Sequence, residues 1–291
     1  MPEPIEVTFL GTGSAVPTPK RHHPSILLRF GSENILFDCG EGTQTQLEKV
    51  KMSPMKITRI FITHWHADHF AGLLPLIETL HLSRRTIPLE IYGPDASRFV
   101  DALMELSYWG IGFKIIAKDC KAGQKIFEND MFEITTVKVN HSVPAVGYCF
   151  KEKDHWHINA RKAEKLGLEG KELREIQEKG KLKGIKLKDI AKMTPGRKIV
   201  YSGDTTISKE LFKVATNADL LIHDGTFIET EMSRSHSAAK MVAKLAKQHH
   251  VKKLILTHLS RRYITNDEIL KIVKPIYKNT IVAHDLMKVK L

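Results

Sequence analysis

The sequence predicts a layered α/β protein interrupted by one inserted helical arm. Short β-branched runs alternate with amphipathic helical stretches along most of the chain. Between residues 151 and 198 that rhythm stops, the composition turns to Lys and Glu, and the rhythm then resumes. Several of the apolar runs end directly on His or Asp, the side chains that bind metals and move protons. At 291 residues the chain is long enough for an enzyme-sized core, since layered α/β units run to about 250 residues.

From the amino terminus, IEVTFL, SILLRF and NILFD read as strands. A helix is expected from about Gly42 to Val50, then ITRIFITH as a buried strand. Helices from Asp68 to Leu82 and from Ala96 to Trp109 carry apolar residues at helical spacing and should pack on a sheet. FEITTVKVNH and AVGYCF follow as strands. Residues 151–198 then hold fifteen basic residues against eight acidic ones, +7 of the chain's net +12. Gly167, Gly170, Gly180 and Gly184 break this segment with turns, which predicts a helical, glycine-jointed arm projecting from the body. Beyond it come the strand KIVYSGD, a helix near Ser208 to Ala215, the strand DLLIHD, a helix near Ser235 to His249, the strand KKLILTH and a last helix before NTIVAHDLMKV. The expected organisation is a core of residues 1–150 and 199–291 with a basic arm at 151–198.

Hydrophobic residues at 42% and charged residues at 27% exclude a disordered chain. No apolar run reaches the ~18 residues of a membrane span, and MPEPIEVTFLG lacks the pattern of a signal peptide. A cytoplasmic protein without membrane contact is expected. Cys39, Cys120 and Cys149 are odd in number and widely spaced, as reduced packing thiols are. The positive balance attracts polyanions, nucleic acid first, although a merely basic enzyme has the same balance.

THWHADH, at residues 63–69, places four metal ligands at a strand end. His64 and His66, two apart, face one side of an extended segment and can grip one ion, while Asp68 and His69 turn toward a second. Four residues cannot fill two tetrahedral shells. His141, Asp204 and His258, each directly after an apolar strand, supply the remainder.

With these residues in place, the chain resembles the metallo-β-lactamase superfamily. Its ordered motifs, HxHxDH followed by a His, an Asp and a final His, match His64, His66, Asp68, His69, His141, Asp204 and His258. The resemblance implies an αββα sandwich with two Zn²⁺ per chain at one edge. One zinc would sit on His64, His66 and His141, the other on Asp68, His69 and His258, with Asp204 bridging. The stretches GTGSAVPTPKRHHPS, FDCGEGTQTQL, NHSVPAVGY, SGDT, SHSAAKMVAKLA and LTHLSRRY are similar to those of the ribonuclease Z family, as is the arm's position.

That resemblance implies a short, homodimeric endoribonuclease that cuts the 3′ trailer from precursor tRNA, leaving a tRNA 3′-hydroxyl and a 5′-phosphate on the trailer. It implies Asp68 as base toward the attacking water and His236 as acid toward the leaving ribose oxygen. A Glu supports that His in the family, whereas this chain has the shorter Asp224 in HDGTF. Lys20 and Arg21 remain as phosphate contacts in the amino-terminal loop, where His22 stands in place of an expected Asn. The arm's charge suits the phosphates of a folded RNA. The pairs His22/His23, His155/His157 and His249/His250 read as surface residues. Two other readings stay open: a hydrolase of the same fold acting on a small phosphodiester or thioester, and an RNA-binding protein with a degenerate site.

Overall fold

The computed structural model describes residues 3–106, 108, 110–229 and 235–291. The first half supplies β1 (Ile5–Gly11), β2 (Ser25–Phe30), β3 (Glu33–Phe37), α1 (Thr43–Lys49), β4 (Arg59–Phe61), α2 (Ala67–Phe70), α3 (Leu73–Leu82), β5 (Leu89–Gly93), α4 (Ala96–Glu105) and β6 (Ile115–Asp119). Then come β7 (Lys125–Glu128), β8 (Phe132–Lys138) and β9 (Val146–Glu152). The arm holds β10 (His155–Ile158), α5 (Ala160–Lys165), α6 (Lys171–Lys179), β11 (Lys181–Leu182), β12 (Ile185–Lys186), α7 (Leu187–Ile190) and β13 (Ala191–Thr194). The remainder is β14 (Lys198–Tyr201), α8 (Lys209–Val214), β15 (Leu220–Asp224), α9 (Ala239–Gln248), β16 (Leu254–Thr257), α10 (Asn266–Val273), β17 (Thr280–Val282) and β18 (Lys288–Lys290).

Two seven-stranded sheets result, ordered β18-β1-β2-β3-β4-β5-β6 and β17-β16-β15-β14-β9-β8-β7. In each, four strands run parallel (β3 to β6 and β14 to β17), and the rest pair antiparallel. Side-chain alternation explains the layering. Ile35 and Phe37 of β3, Ile199 and Tyr201 of β14 and Leu220 and Ile222 of β15 fill the layer between the sheets. Leu36 turns outward under α1, α3 and α4, and Val200 and Leu221 turn outward under α8 to α10. The molecule is an αββα sandwich.

Several expected elements differ. The helix expected from Asp68 to Leu82 is two, because a Cβ at Gly72 would lie 2.1 Å from the Gly40 carbonyl oxygen and the chain passes there only as glycine. Pro75, lacking an N–H, sits in the first turn of α3, where none is needed. The helix from Ala96 ends at Glu105; the expected remainder includes residues 107 and 109, outside the described residues. The helix expected from Ser235 starts at Ala239, and its cap residue Ala238 offers no side-chain bond. Strands β5, β6 and β7 had no counterpart in the sequence reading, and NTIVAHDLMKV divides into β17 and β18.

The arm is also more than helices. β10 pairs with β13 and β11 with β12. Ala163, Leu168, Ile176, Leu187 and Ile190 bury a small core of their own. The four glycines all take positive φ, between 46° and 84°, and so make its turns. Lys151, Glu152 and Lys198 belong to β9 and β14, so the departure from the sheet is narrower than the composition indicated.

Candidate metal centre

The parallel strands explain the centre, since side chains just beyond their carboxyl ends project from one edge of the sandwich. Asp38 follows β3, His64 to His69 follow β4, Asp204 follows β14, Asp224 closes β15 and His258 follows β16. His141 joins them from the loop after β8. The structure brings all seven sequence-derived ligands together in two groups: His64, His66 and His141, and Asp68, His69, Asp204 and His258.

Their spacing has the character of coordination shells. His66 Nδ1 lies 3.0 Å from His64 Nε2 and 3.2 Å from His141 Nε2. His258 Nε2 lies 3.3 Å from Asp68 Oδ2 and 3.2 Å from Asp204 Oδ2. His69 Nε2 lies 3.3 Å from Asp204 Oδ1 and 3.6 Å from Asp68 Oδ2. Donors bonded tetrahedrally to zinc at about 2.0–2.1 Å stand about 3.3 Å apart. His69 Nε2 and Asp204 Oδ1 are buried without a hydrogen-bond partner, an orphaned pair that a cation between them would satisfy. The donor set fits divalent metal.

A supporting shell aims each ring. His69 Nδ1–H donates to Asp38 Oδ2 at 2.9 Å, and Asp38 also accepts from the Thr63 N–H (2.8 Å) and hydroxyl (3.0 Å) and from the Tyr201 hydroxyl (2.7 Å). His64 Nδ1 reaches Thr63 Oγ1 at 3.1 Å, and His141 Nδ1 the Ser235 carbonyl at 3.2 Å. His258 Nδ1 reaches Thr226 Oγ1 at 2.8 Å, whose hydroxyl donates to Asp224 Oδ1 at 2.6 Å. Asp38 (φ 58°) and His258 (φ 57°) hold left-handed backbone at these strand ends. Asp38, Thr226 and Tyr201 escaped the sequence reading, although Asp38 carries the same signal as the ligands, a polar residue straight after an apolar strand.

Burial works against charge on Asp204, but His258, His69 and His64 outweigh it and hold the carboxyl well below the usual range. Burial likewise opposes ionisation of Asp68, and its hydrogen bond from His258 prevails. For His64, burial and the neighbouring His69 push the ring down, toward the neutral ligand form. His236 lies beside the cage, its Nδ1 2.9 Å from Asp224 Oδ2 and 3.8 Å from Asp204 Oδ2. Asp224 therefore reaches His236 despite its short side chain. Burial lowers the His236 pKa, but the Asp224 hydrogen bond and charge outweigh it and raise the ring above the ordinary histidine range. Because α9 starts only at Ala239, His236 lies in the preceding loop, not at a helix start.

A cavity of about 480 Å³ opens over the cage, lined by His66, Asp68, His141, Asp204, His236 and His258 together with His23. His23 is thus a partly exposed wall of the cavity. The Arg21 guanidinium donates to Thr12 Oγ1, the Ala283 carbonyl (2.9 Å) and Asn266 Oδ1 and so braces the loop. Lys20 stays exposed. His22 is held by Asp285, to which both its backbone N–H and its Nδ1 bond.

A family model described as Anti-Pycsar protein Apyc1 matches residues 5–274. A curated relative named Ribonuclease Z, from Methanothermobacter thermautotrophicus, is 40% identical over 298 residues, spanning 99% of this chain and 97% of the relative. Among solved structures, human tRNase Z, short form, is 32% identical with a TM-score of 0.71, covering 98% of both chains. The metallo-β-lactamase fold protein YhfI from Bacillus subtilis is similar in fold alone, with a TM-score of 0.73 at 20% identity and coverage of 99% of this chain and 100% of that one.

Proposed function

The chain belongs to the ribonuclease Z family and, over residues 5–274, to the family that the Apyc1 model describes, and from that premise we propose that it is a metal-dependent endoribonuclease that removes the 3′ trailer from precursor tRNA. The observation that carries this reading is the pair of donor groups set side by side, with Asp204 in one of them and its Oδ2 3.9 Å from His64 Nε2 of the other, in a chain 40% identical to a Ribonuclease Z. Two Zn²⁺ per chain would suit the donors: His64, His66 and His141 would hold one, and Asp68, His69 and His258 the other, with Asp204 available between them. Bound there, such ions supply positive charge beside a phosphodiester and make water a nucleophile near neutral pH.

The chain's own groups do the rest. Asp68, ionised, orients the attacking water and accepts its proton. His236, oriented by Asp224 and biased by it toward the protonated form, delivers a proton to the departing ribose 3′-oxygen. The products are a tRNA 3′-hydroxyl and a 5′-phosphate on the trailer. The basic arm grips the body of the folded RNA, with Lys20 the remaining loop contact near the cleavage point. Among the described residues no helix is long and apolar enough to cross a membrane. A cytoplasmic location and a homodimer belong to the same proposal, by likeness to the family.

The test uses end-labelled precursor tRNA, with and without an encoded CCA end, incubated with zinc-loaded protein and mapped to the nucleotide. A single cut after the acceptor stem with the stated termini is expected. Intact precursor beside hydrolysis of bis-p-nitrophenyl phosphate would replace the reading with that of a small-phosphodiester hydrolase.

A further inference from the structure

The arm leaves the sheet after Glu152, the last residue of β9, and returns at Arg197, just before β14. These two residues are clasped. Arg197 Nε lies 2.7 Å from Glu152 Oε2 and Nη2 lies 2.7 Å from Oε1, a two-pronged pair. The Arg197 backbone N–H donates to the same carboxylate at 2.8 Å, and the Glu152 N–H donates to the Arg197 carbonyl at 2.9 Å. The guanidinium then reaches across both sheets, from Nη1 to the Leu291 carbonyl (2.7 Å) and from Nη2 to the Glu3 carbonyl (2.6 Å). Four of its five N–H donors are used. The Glu152 and Arg197 side chains are only 6% and 16% exposed.

The next residues outward tighten the same joint. Gly196 N–H donates to Asp154 Oδ1 at 2.9 Å, and Lys151 Nζ donates to the Gly196 carbonyl at 2.5 Å. A Cβ at Gly196 would stand 2.0 Å from the Glu152 carbonyl oxygen, so the two strands press together there as only glycine permits. Beyond this point the arm has a core of its own, separate from the sandwich cores. A separately cored module on two strands takes its orientation from its root.

We propose that the Glu152–Arg197 pair is a positioning device that fixes the arm's orientation toward the metal cleft, and thereby productive RNA binding, without touching substrate. This rests on the reading of the arm as an RNA grip. A grip on a loose joint is binding-competent for only part of the time, and the apparent affinity falls by that fraction while the bound complex is unaltered.

The test compares Arg197→Met with wild type on precursor tRNA and on bis-p-nitrophenyl phosphate, with zinc content measured. The expected result is a KM for precursor tRNA raised about tenfold or more, with kcat at saturation, small-diester hydrolysis and zinc content unchanged. Arg197→Lys should recover part of the loss. Should Arg197→Met fail to fold, Glu152→Gln, which keeps the shape and removes the charge, carries the same comparison. Equal losses on both substrates, or an unchanged KM for precursor tRNA, would overturn the proposal. A full-length variant with Lys162, Lys165 and Lys188 changed to Ala separates the premise from the inference. If its tRNA KM is unchanged, the arm reading fails; if that KM rises while Arg197→Met has no effect, the joint alone fails.

Discussion

Asp38 has no exposed surface, yet it is a carboxylate. It tolerates burial because four donors converge on it, and one of them is the His69 ring that faces the cage. Groups that orient a metal ligand are worth roughly 10–100-fold in metal affinity. Asp38→Ala should therefore weaken zinc binding by about that factor, with small-diester activity falling in parallel; a zinc titration unchanged from wild type would remove Asp38 from the support of His69. The seven candidate donors were legible because they follow strand ends in the sequence. Asp38 was marked in the same way, but its partners are scattered over Thr63, His69 and Tyr201, and a convergence of that kind exists only in three dimensions. The bracing bonds of Arg21 were hidden for the same reason. A basic residue in a polar loop reads as a surface charge until Thr12, Asn266 and Ala283 are seen around it.

At the scale of elements, the short helix α2 presents Asp68 and His69, and it is held at its carboxyl end by the loop after β3. Cys39 N–H donates to the His69 carbonyl at 2.8 Å, and Gly72 N–H donates to the Cys39 carbonyl at 2.9 Å. The break between α2 and α3 therefore places ligands. Gly72→Ala would drive a methyl into the Gly40 carbonyl and should cost about 2 kcal/mol or more, read as a lower denaturant midpoint together with reduced zinc loading. A midpoint within error of wild type would show that the loop yields. Helical spacing continued across residues 68–82 and hid this break, because the constraint comes from a neighbouring loop and not from the helix. β6 was hidden differently: it is an edge strand of half-buried residues, Ile115 to Lys118, and lacks the long apolar run that revealed β15 and β16. The arm's small sheets are two to four residues long, too short for an alternation to register against a background of Lys and Glu.

For the whole molecule, two stretches of strand and helix, related in layout, meet face to face, and the alternation of single strands such as β3 and β14 already required helices on the outer sides. The candidate donors run from His64 to His258 and hang from both sheets. A cation held there is consequently a removable cross-link between the two halves of the sandwich. Binding to the folded state alone adds about 1.4 kcal/mol for each tenfold rise in free cation above the dissociation constant. The melting temperature should then climb steadily with the logarithm of free zinc and drop under a chelator, as followed by calorimetry; a melting temperature indifferent to zinc would mean that the cage does not hold the halves together. The folded population of this protein would on that account track the cation supply of its surroundings, and a cell short of metal would lose the protein to proteolysis as well as its activity.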